Sequence, residues 1–185
     1  MGTPKPHQPV KLFYAILFVE IEDLTAIKDL LTKKHGPIDT QSEIFDFNYT
    51  SYYKKEMAGD IKRIFYSFEK LIDARNLCCI KIESNSIEAG FPSKTGGRRI
   101  NLDPGYLTPA KVILASAKDN IQRIYIDNGI YEEITLYYKN RTFKPFEWTF
   151  PDYKESYIPF FNQLRNKFMT ATPKKAGAPP ENESE

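Results

Sequence analysis

The chain has 185 residues, 41% hydrophobic and 14% aromatic, which suffices for one good core and reads as a single globular domain. Lys and Arg number 26 against 24 Asp and Glu, a net charge of +2 that lacks the basic excess of a dedicated duplex-DNA binder. The longest apolar run, Leu12 to Val19, falls far short of the about 20 residues that cross a bilayer, and the start has no apolar signal-peptide stretch. A cytoplasmic protein with no membrane partner is therefore expected.

In chain order, residues 1–9, with Pro4, Pro6 and Pro9, are expected to be disordered, as is the Pro-, Ala-, Lys- and Glu-rich tail 170–185. The single domain is then 10–169. Leu12–Val19 reads as a strand buried on both faces, because its apolar residues are continuous. Leu24, Ile27, Leu30 and Leu31 predict a helix from about Asp23, stopped by Gly36-Pro37. Glu43–Asn48 alternates as a short strand. The stripe Ile61, Ile64, Phe65, Phe68, Leu71 and Ile72 suggests a helix over 60–75, with Tyr52, Tyr53, Glu56, Arg63 and Glu69 as its charged and aromatic surroundings. Leu77–Glu83 reads as a strand followed by a loop, Ser84–Gly97. On such a strand the adjacent Cys78 and Cys79 point to opposite faces and neither share a metal nor form an ordinary disulfide. They read as small apolar side chains in a reducing compartment.

The second half is strand-rich. Arg99–Leu102, Lys111–Ser116, Ile121–Ile126 and Ile130–Tyr138 are separated by Asp103-Pro104-Gly105, Lys118-Asp119-Asn120 and Asp127-Asn128-Gly129, all of which are turn chemistry. Pairing in order gives an antiparallel meander. Trp148–Tyr153 is expected to be extended, with Trp148 anchoring the core, and a last helix from about Ser156 buries Tyr157, Phe161, Leu164 and Phe168. The fold class is α+β: one mainly antiparallel sheet with helices packed on one face.

Period-two alternation puts chemistry on the other face of the meander. Arg99, Asn101 and Asp103 share a side; so do Arg123, Tyr125 and Asp127, and so do Tyr131, Glu133, Thr135 and Tyr137. Lys111, Ser116, Lys118 and Asp119 border it. A solvated face with cross-strand ion pairs is the plainer reading. Phenols beside arginines, however, suit a base, a phosphate or a carboxylate. In the sharpest form of the reading, a three-residue Asp127–Gly129 turn sets Ile126 opposite Ile130 and Arg123 directly across from Glu133.

Several chemistries lack their residues. His7 and His35, the two histidines, both lie away from the meander, which disfavours a Ser-His-Asp triad, a Cys-His pair and a histidine-ligated zinc. There is no GxxxxGK[ST] loop and no GxGxxG. What remains is carboxylate acid–base work by Asp103, Glu133 or Asp152, Mg²⁺ held by carboxylates, or binding without chemistry.

Asn101–Leu107 (NLDPGYL), Arg123–Ile126 (RIYI), Gly129–Leu136 (GIYEEITL), Trp148–Tyr153 (WTFPDY) and the Tyr52-Tyr53…Glu56-Met57 stretch together resemble the bacterial family called domain of unknown function 4416. The resemblance runs from Lys11 to about Phe168 and implies a small soluble bacterial protein of unassigned activity. Gln122 stands where the family pattern has a histidine, Ala117 where a hydroxyl is usual, and Ala58 interrupts a Glu-Met-Gly. Weight therefore falls on Arg123, Glu133, Asp103 and Lys118.

The leading expectation is a site for a phosphate-bearing metabolite or nucleotide. Arg99, Lys111, Lys118 and Arg123 would hold anionic oxygens, Tyr125, Tyr131 or Tyr137 would stack, and Asn101 and Asp152 would bind. Asp103 and Glu133, with Lys118, are the candidate acid–base or Mg²⁺-holding set, and whether catalysis occurs is left open. The alternatives are a single-stranded RNA-binding module on the same residues and an interaction scaffold without a ligand.

Overall fold

The computed structural model describes residues 2–49, 53, 56, 57, 59–93 and 96–171. Its elements are β1 (Lys11–Phe18), α1 (Ile21–His35), β2 (Ile38–Gln41), β3 (Phe45–Asp46), β4 (Lys62–Phe68), a 3₁₀ turn (Ala74–Asn76), α2 (Leu77–Ala89) and β5 (Ile100–Leu107). They continue with β6 (Lys111–Ser116), β7 (Ile124–Asp127), β8 (Ile130–Lys139), β9 (Thr142–Pro145), α3 (Pro151–Glu155) and α4 (Ile158–Ala171). All strands join one antiparallel sheet in the order β2-β4-β1-β5-β6-β8-β7, with β3 beside β4 and β9 beside β8. This is a single α+β domain.

Helices cover both faces of the sheet rather than one. Even-numbered residues of β1 (Leu12, Tyr14, Ile16) pack with Leu24, Ile27 and Leu31 of α1 and Ile80 of α2. Odd-numbered Phe13 and Ala15 pack with Phe160, Phe161, Leu164 and Phe168 of α4. A fully apolar central strand must be covered twice, which the continuous run of β1 already required. Each fully buried Phe or Leu contributes about 1.5–3 kcal/mol.

The expected helix over 60–75 is instead β4, and the expected strand Leu77–Glu83 is the helix α2. Lys62–Phe68 is a short segment centred on Ile64, Phe65 and Tyr66 and buried on both faces from Arg63 onward; a short apolar run of this kind fits a helical stripe and a buried strand equally well. In α2 the buried positions are Leu77, Cys78, Ile80, Lys81, Ser84 and Glu88, a helical spacing disguised because three of them are polar. Asp73 opens that segment by accepting the Arg75 backbone N–H at 2.9 Å. Both cysteines are free, Cys78 buried and Cys79 exposed. The expected strand Glu43–Asn48 shrinks to β3, and β2 and β9 were not anticipated. Residues 2–9 are exposed and without regular structure. Tyr52, Ala58 and most of the expected tail, 172–185, lie outside the described residues, while Thr170 and Ala171 belong to α4.

Two corrections shape the second half. Asp103-Pro104-Gly105 is not a turn but the middle of β5. The strands also do not pair in order: β8 lies against β6, and β7 folds back onto the outside of β8. All four β7 residues are exposed, so this strand cannot fill a central place, whereas Ile130, Glu133, Thr135 and Leu136 of β8 are buried. Asn128 (φ 49°) and Gly129 (φ 76°) form a two-residue turn with Asp127 opposite Ile130. The extra residue of the hairpin is the bulged Ile126, not a third turn residue.

Phe150 is extended as Pro151 requires, yet Pro151 then starts α3. Trp148 does not anchor the core. It is 45% exposed, stacks on Phe146 at 4.6 Å and donates to the Ile134 carbonyl.

Two backbone positions give measurable expectations. A Cβ on Gly105 would lie 2.3 Å from the Ile113 carbonyl oxygen and 2.6 Å from Phe13 Cζ. Gly105→Ala should therefore cost about 1–3 kcal/mol in urea unfolding. Arg141 sits at φ 62° in the Asn140-Arg141 turn between β8 and β9, so Arg141→Gly should stabilise by about 0.5–1 kcal/mol.

Candidate functional site

The site begins with a missing donor. β5 pairs with β6 only at Gly105, Tyr106 and Leu107. The N–H and C=O of Leu102 point away from β1, so those of Pro104, two residues on, must point the same way. Pro104 has no N–H to give to a neighbour, and the ladder stops there. Side chains of α2 replace the absent strand. The Leu102 N–H donates to Glu88 Oε1 at 2.6 Å, and Lys81 Nζ donates to the Leu102 carbonyl at 2.7 Å.

Beside the splayed strands lies a cleft of about 610 Å³, within the usual size range of small-molecule sites. β5 contributes Asn101 and Asp103, β6 contributes Leu114 to Ser116, and the following loop contributes Lys118 to Asn120. Arg123 and Glu133 close one wall. Arg63 of β4, Phe47, Tyr53 and the Phe150–Tyr153 segment close the other, while Lys81 and Asn85 enter from α2 and Arg98 from the segment before β5.

Three ion pairs organise the charge. Arg123 Nε donates to Glu133 Oε2 at 2.8 Å; Gln122 and Thr135 reach the same carboxylate at 3.4 Å each, and Arg123 also donates to the Lys118 carbonyl at 2.9 Å. One guanidinium thus fixes both the buried acid and the loop. Lys81 lies 3.2 Å from Asp103, which also accepts the Asn101 amide at 2.6 Å. Burial would raise the Asp103 pKa, but Lys81, Arg63 and the Asn101 hydrogen bond outweigh it and hold the acid below its ordinary value. Arg63 and Asp152, both almost wholly buried, stand 3.7 Å apart. Here burial wins over Arg63 and pushes the Asp152 pKa up. Burial likewise raises Glu88, despite Lys81 and Arg98.

Arg63 is wrapped in rings: its guanidinium carbon is 4.9 Å from the centre of Phe47, 5.8 Å from Tyr153 and 5.7 Å from Tyr157. Its Nε and the Tyr153 hydroxyl are buried without a hydrogen-bond partner.

Of the residues singled out from sequence, Asn101, Asp103, Lys118, Arg123, Glu133 and Asp152 line this one cleft. The other five do not. Arg99 turns to α1 and pairs with Asp23 at 3.2 Å. Lys111 and Tyr137 face each other across β6 and β8 on the opposite side from Glu133, because the register shift between Val112 and Ile113 leaves Thr135 bulged. Tyr125 and Tyr131 meet edge to face at 5.4 Å beyond the cleft. Lys81, Asn85 and Arg98 were missed, and Arg63 was placed on the charged surroundings of a helix rather than in a site. The signal for Lys81 was available, since Lys81, Ser84 and Glu88 recur at helical spacing with apolar neighbours. Among the described residues no three or more His, Cys, Asp or Glu side chains gather as a metal-binding group. Asp103 and Glu133, the pair considered for Mg²⁺, are each engaged by a cation instead.

Fold and site together define an α+β domain with a splayed antiparallel sheet and an ion-paired cleft at the split. The chain belongs to the family described as Domain of unknown function (DUF4416), whose model matches residues 8–168. No curated protein and no solved structure matches it. Among the described residues no helix is long and apolar enough to cross a membrane.

The Arg123–Glu133 pair is 9% and 1% exposed at its side chains, so removing one partner leaves a buried charge. Arg123→Ala should destabilise by about 3–5 kcal/mol, and adding Glu133→Gln should recover part of that loss. Chemical denaturation of both variants and the double variant measures it.

Proposed function

We propose that the cleft beside β5 and β6 binds a small phosphate-bearing metabolite or nucleotide. The observation behind this reading is a cleft, open to solvent at its Lys118–Asn120 rim, with guanidinium and ammonium groups set among aromatic rings, a combination suited to anionic oxygens on a flat or sugar-like body. Arg63, Lys81, Arg98, Lys118 and Arg123 supply positive charge; Phe47, Tyr53 and Phe150 supply apolar and stacking surface. Asp103, held ionised by Lys81 and Arg63, adds a fixed negative charge to this set. Arg99, Lys111, Tyr125, Tyr131 and Tyr137 are left out of the proposal, since they lie elsewhere. The expected bacterial, cytoplasmic setting rests on the family resemblance and on the free cysteines.

The alternative of an RNA platform is weakened by the edge-to-face contact of Tyr125 and Tyr131, whose rings stand at 73° rather than offering parallel faces. A protein-contact role draws on a different feature, the exposed Ile121, Ile124 and Tyr125 around the edge strand β7.

Thermal-shift measurements against sugar phosphates and nucleotides, with and without Mg²⁺, test the proposal. A ligand present at about 100 times its Kd adds about 2.7 kcal/mol, equivalent to a Tm rise of about 5–10 °C for a domain of this size. No stabilisation by any such compound at millimolar concentration would reject it.

A further inference from the structure

We propose that the inner end of the cleft, where Arg63, Asp152 and Tyr153 meet, is the seat of the ligand's phosphate group, which docks there together with one proton shared with Asp152. This rests on the cleft being a phosphate-ester site. It adds which end receives the anion and the protonation state in which it binds.

The argument starts from unsatisfied donors. Arg63 is 4% exposed and Tyr153 2%, yet Arg63 Nε and the Tyr153 hydroxyl make no hydrogen bond. A buried polar group left unpaired costs about 1–3 kcal/mol, and here two lie in one place, on side chains that both line the cleft. Both are donors: the guanidinium has no acceptor atom, and burial keeps the Tyr153 phenol protonated by raising its pKa well above the ordinary value. Donors without acceptors call for an oxygen-rich occupant, and the guanidinium gives it a positive charge.

The charge balance then fixes the protonation state. Arg63 already faces Asp152 at 3.7 Å, so the inner end is close to neutral when both are charged. A phosphate dianion added there would bury two uncompensated negative charges beside a carboxylate, which the low-dielectric surroundings oppose. One proton between the carboxylate and a phosphate oxygen turns that repulsion into a charge-assisted hydrogen bond. The groups facing Asp152 are Arg63 from β4, Asp103 from β5, and Tyr153 and Tyr157 around α3. Arg63 and the backbone N–H groups of Tyr153 and of Asp152 itself favour the ionised carboxylate, and burial outweighs them. Asp152 is therefore a ready site for the proton. A phosphate monoester has its second pKa near about 6, so above that pH the free ligand is mostly dianionic and binding takes a proton from solvent.

The sign follows. Affinity should rise as pH falls from 8 to 6, approaching tenfold per unit when one proton is taken up. Calorimetric titration of the full-length protein with inorganic phosphate and with phenyl phosphate at pH 6, 7 and 8 reads it directly. Three variants accompany the wild type: Tyr153→Phe, Asp152→Asn and Lys118→Ala. Tyr153→Phe removes one hydroxyl from a packed ring, so folding survives, and it should weaken binding about tenfold or more. Asp152→Asn offers its own amide proton, so binding should become tighter at pH 8 and the pH slope should flatten. If Tyr153→Phe and Asp152→Asn bind as the wild type does at all three pH values while Lys118→Ala loses the ligand, the phosphate sits at the outer end and this inference is overturned, though the cleft remains the site. If the wild type binds neither probe, the reading of the cleft itself fails and takes this inference with it.

Discussion

Everything distinctive in this molecule depends on one hydrogen bond that cannot form. Pro104 occupies a central strand at a position facing the next strand, where a donor would normally continue the ladder. β5 and β6 therefore part company beyond Gly105, leaving the Leu102 N–H and C=O to be satisfied another way, since buried main-chain groups are almost never left alone. Helix α2 supplies a carboxylate and an ammonium in place of a strand. Two ionic side chains inserted into the core need partners of their own. Lys81 finds Asp103 at 3.2 Å and Glu88 at 3.9 Å, and Arg98 bonds to Glu88 while lying 3.0 Å from Glu56. The ionic network follows from a gap in a sheet.

The same gap divides the α4 face of the sheet into two regions of opposite character. Where β5 and β6 are zipped, Leu107, Val112 and Leu136 lie beneath the aromatic side chains of α4 in a dry core. Where they part, Asn101, Asp103 and Glu133 point into the cleft. Gly105 marks the boundary, and the absence of its side chain lets Phe13 and the β6 backbone close over it. Arg63 and Tyr153 stand at the seam, apolar rings on one side and ionic groups on the other. This explains how an arginine can be buried among Phe47, Tyr153 and Tyr157: the rings stand close to its guanidinium while Asp152 balances its charge at 3.7 Å.

Much of this was legible in the chain and some was not, for physical reasons. Continuous apolarity identified β1, turn chemistry located the β7–β8 hairpin, and alternation paired Arg123 with Glu133 across it. Alternation also counts residues blindly. It could not register the bulge at Thr135 that sends Tyr137 to the other face, and it attributed the extra residue near Asn128-Gly129 to the turn rather than to Ile126. β4 and α2 were exchanged because the burial of each contradicts its local pattern: β4 is apolar enough to mimic a helix stripe, and α2 buries Lys81, Ser84 and Glu88, which read as surface. Such an exchange is a tertiary effect. No window of residues 77–89 shows that a carbonyl 13 residues beyond its end awaits an ammonium. Pro104 was visible, and its meaning as punctuation was taken for a turn when it was a ladder stop inside a strand.

The spacing of the ion pairs separates framework from working groups. Arg123–Glu133 at 2.8 Å and Lys81–Asp103 at 3.2 Å are closed, and each also holds a backbone carbonyl, at Lys118 and at Leu102. Disturbing either would move a loop or a strand, so these pairs act as walls. Arg63–Asp152 at 3.7 Å is looser, lies where a guanidinium N–H and a phenol hydroxyl are unmatched, and includes an acid that burial already biases toward its neutral form. Balanced charge in the whole chain is thus compatible with the proposed anion site inside it. Several cleft cations are matched to acids in the framework, whereas the Arg63 Nε beside Asp152 keeps bonding capacity.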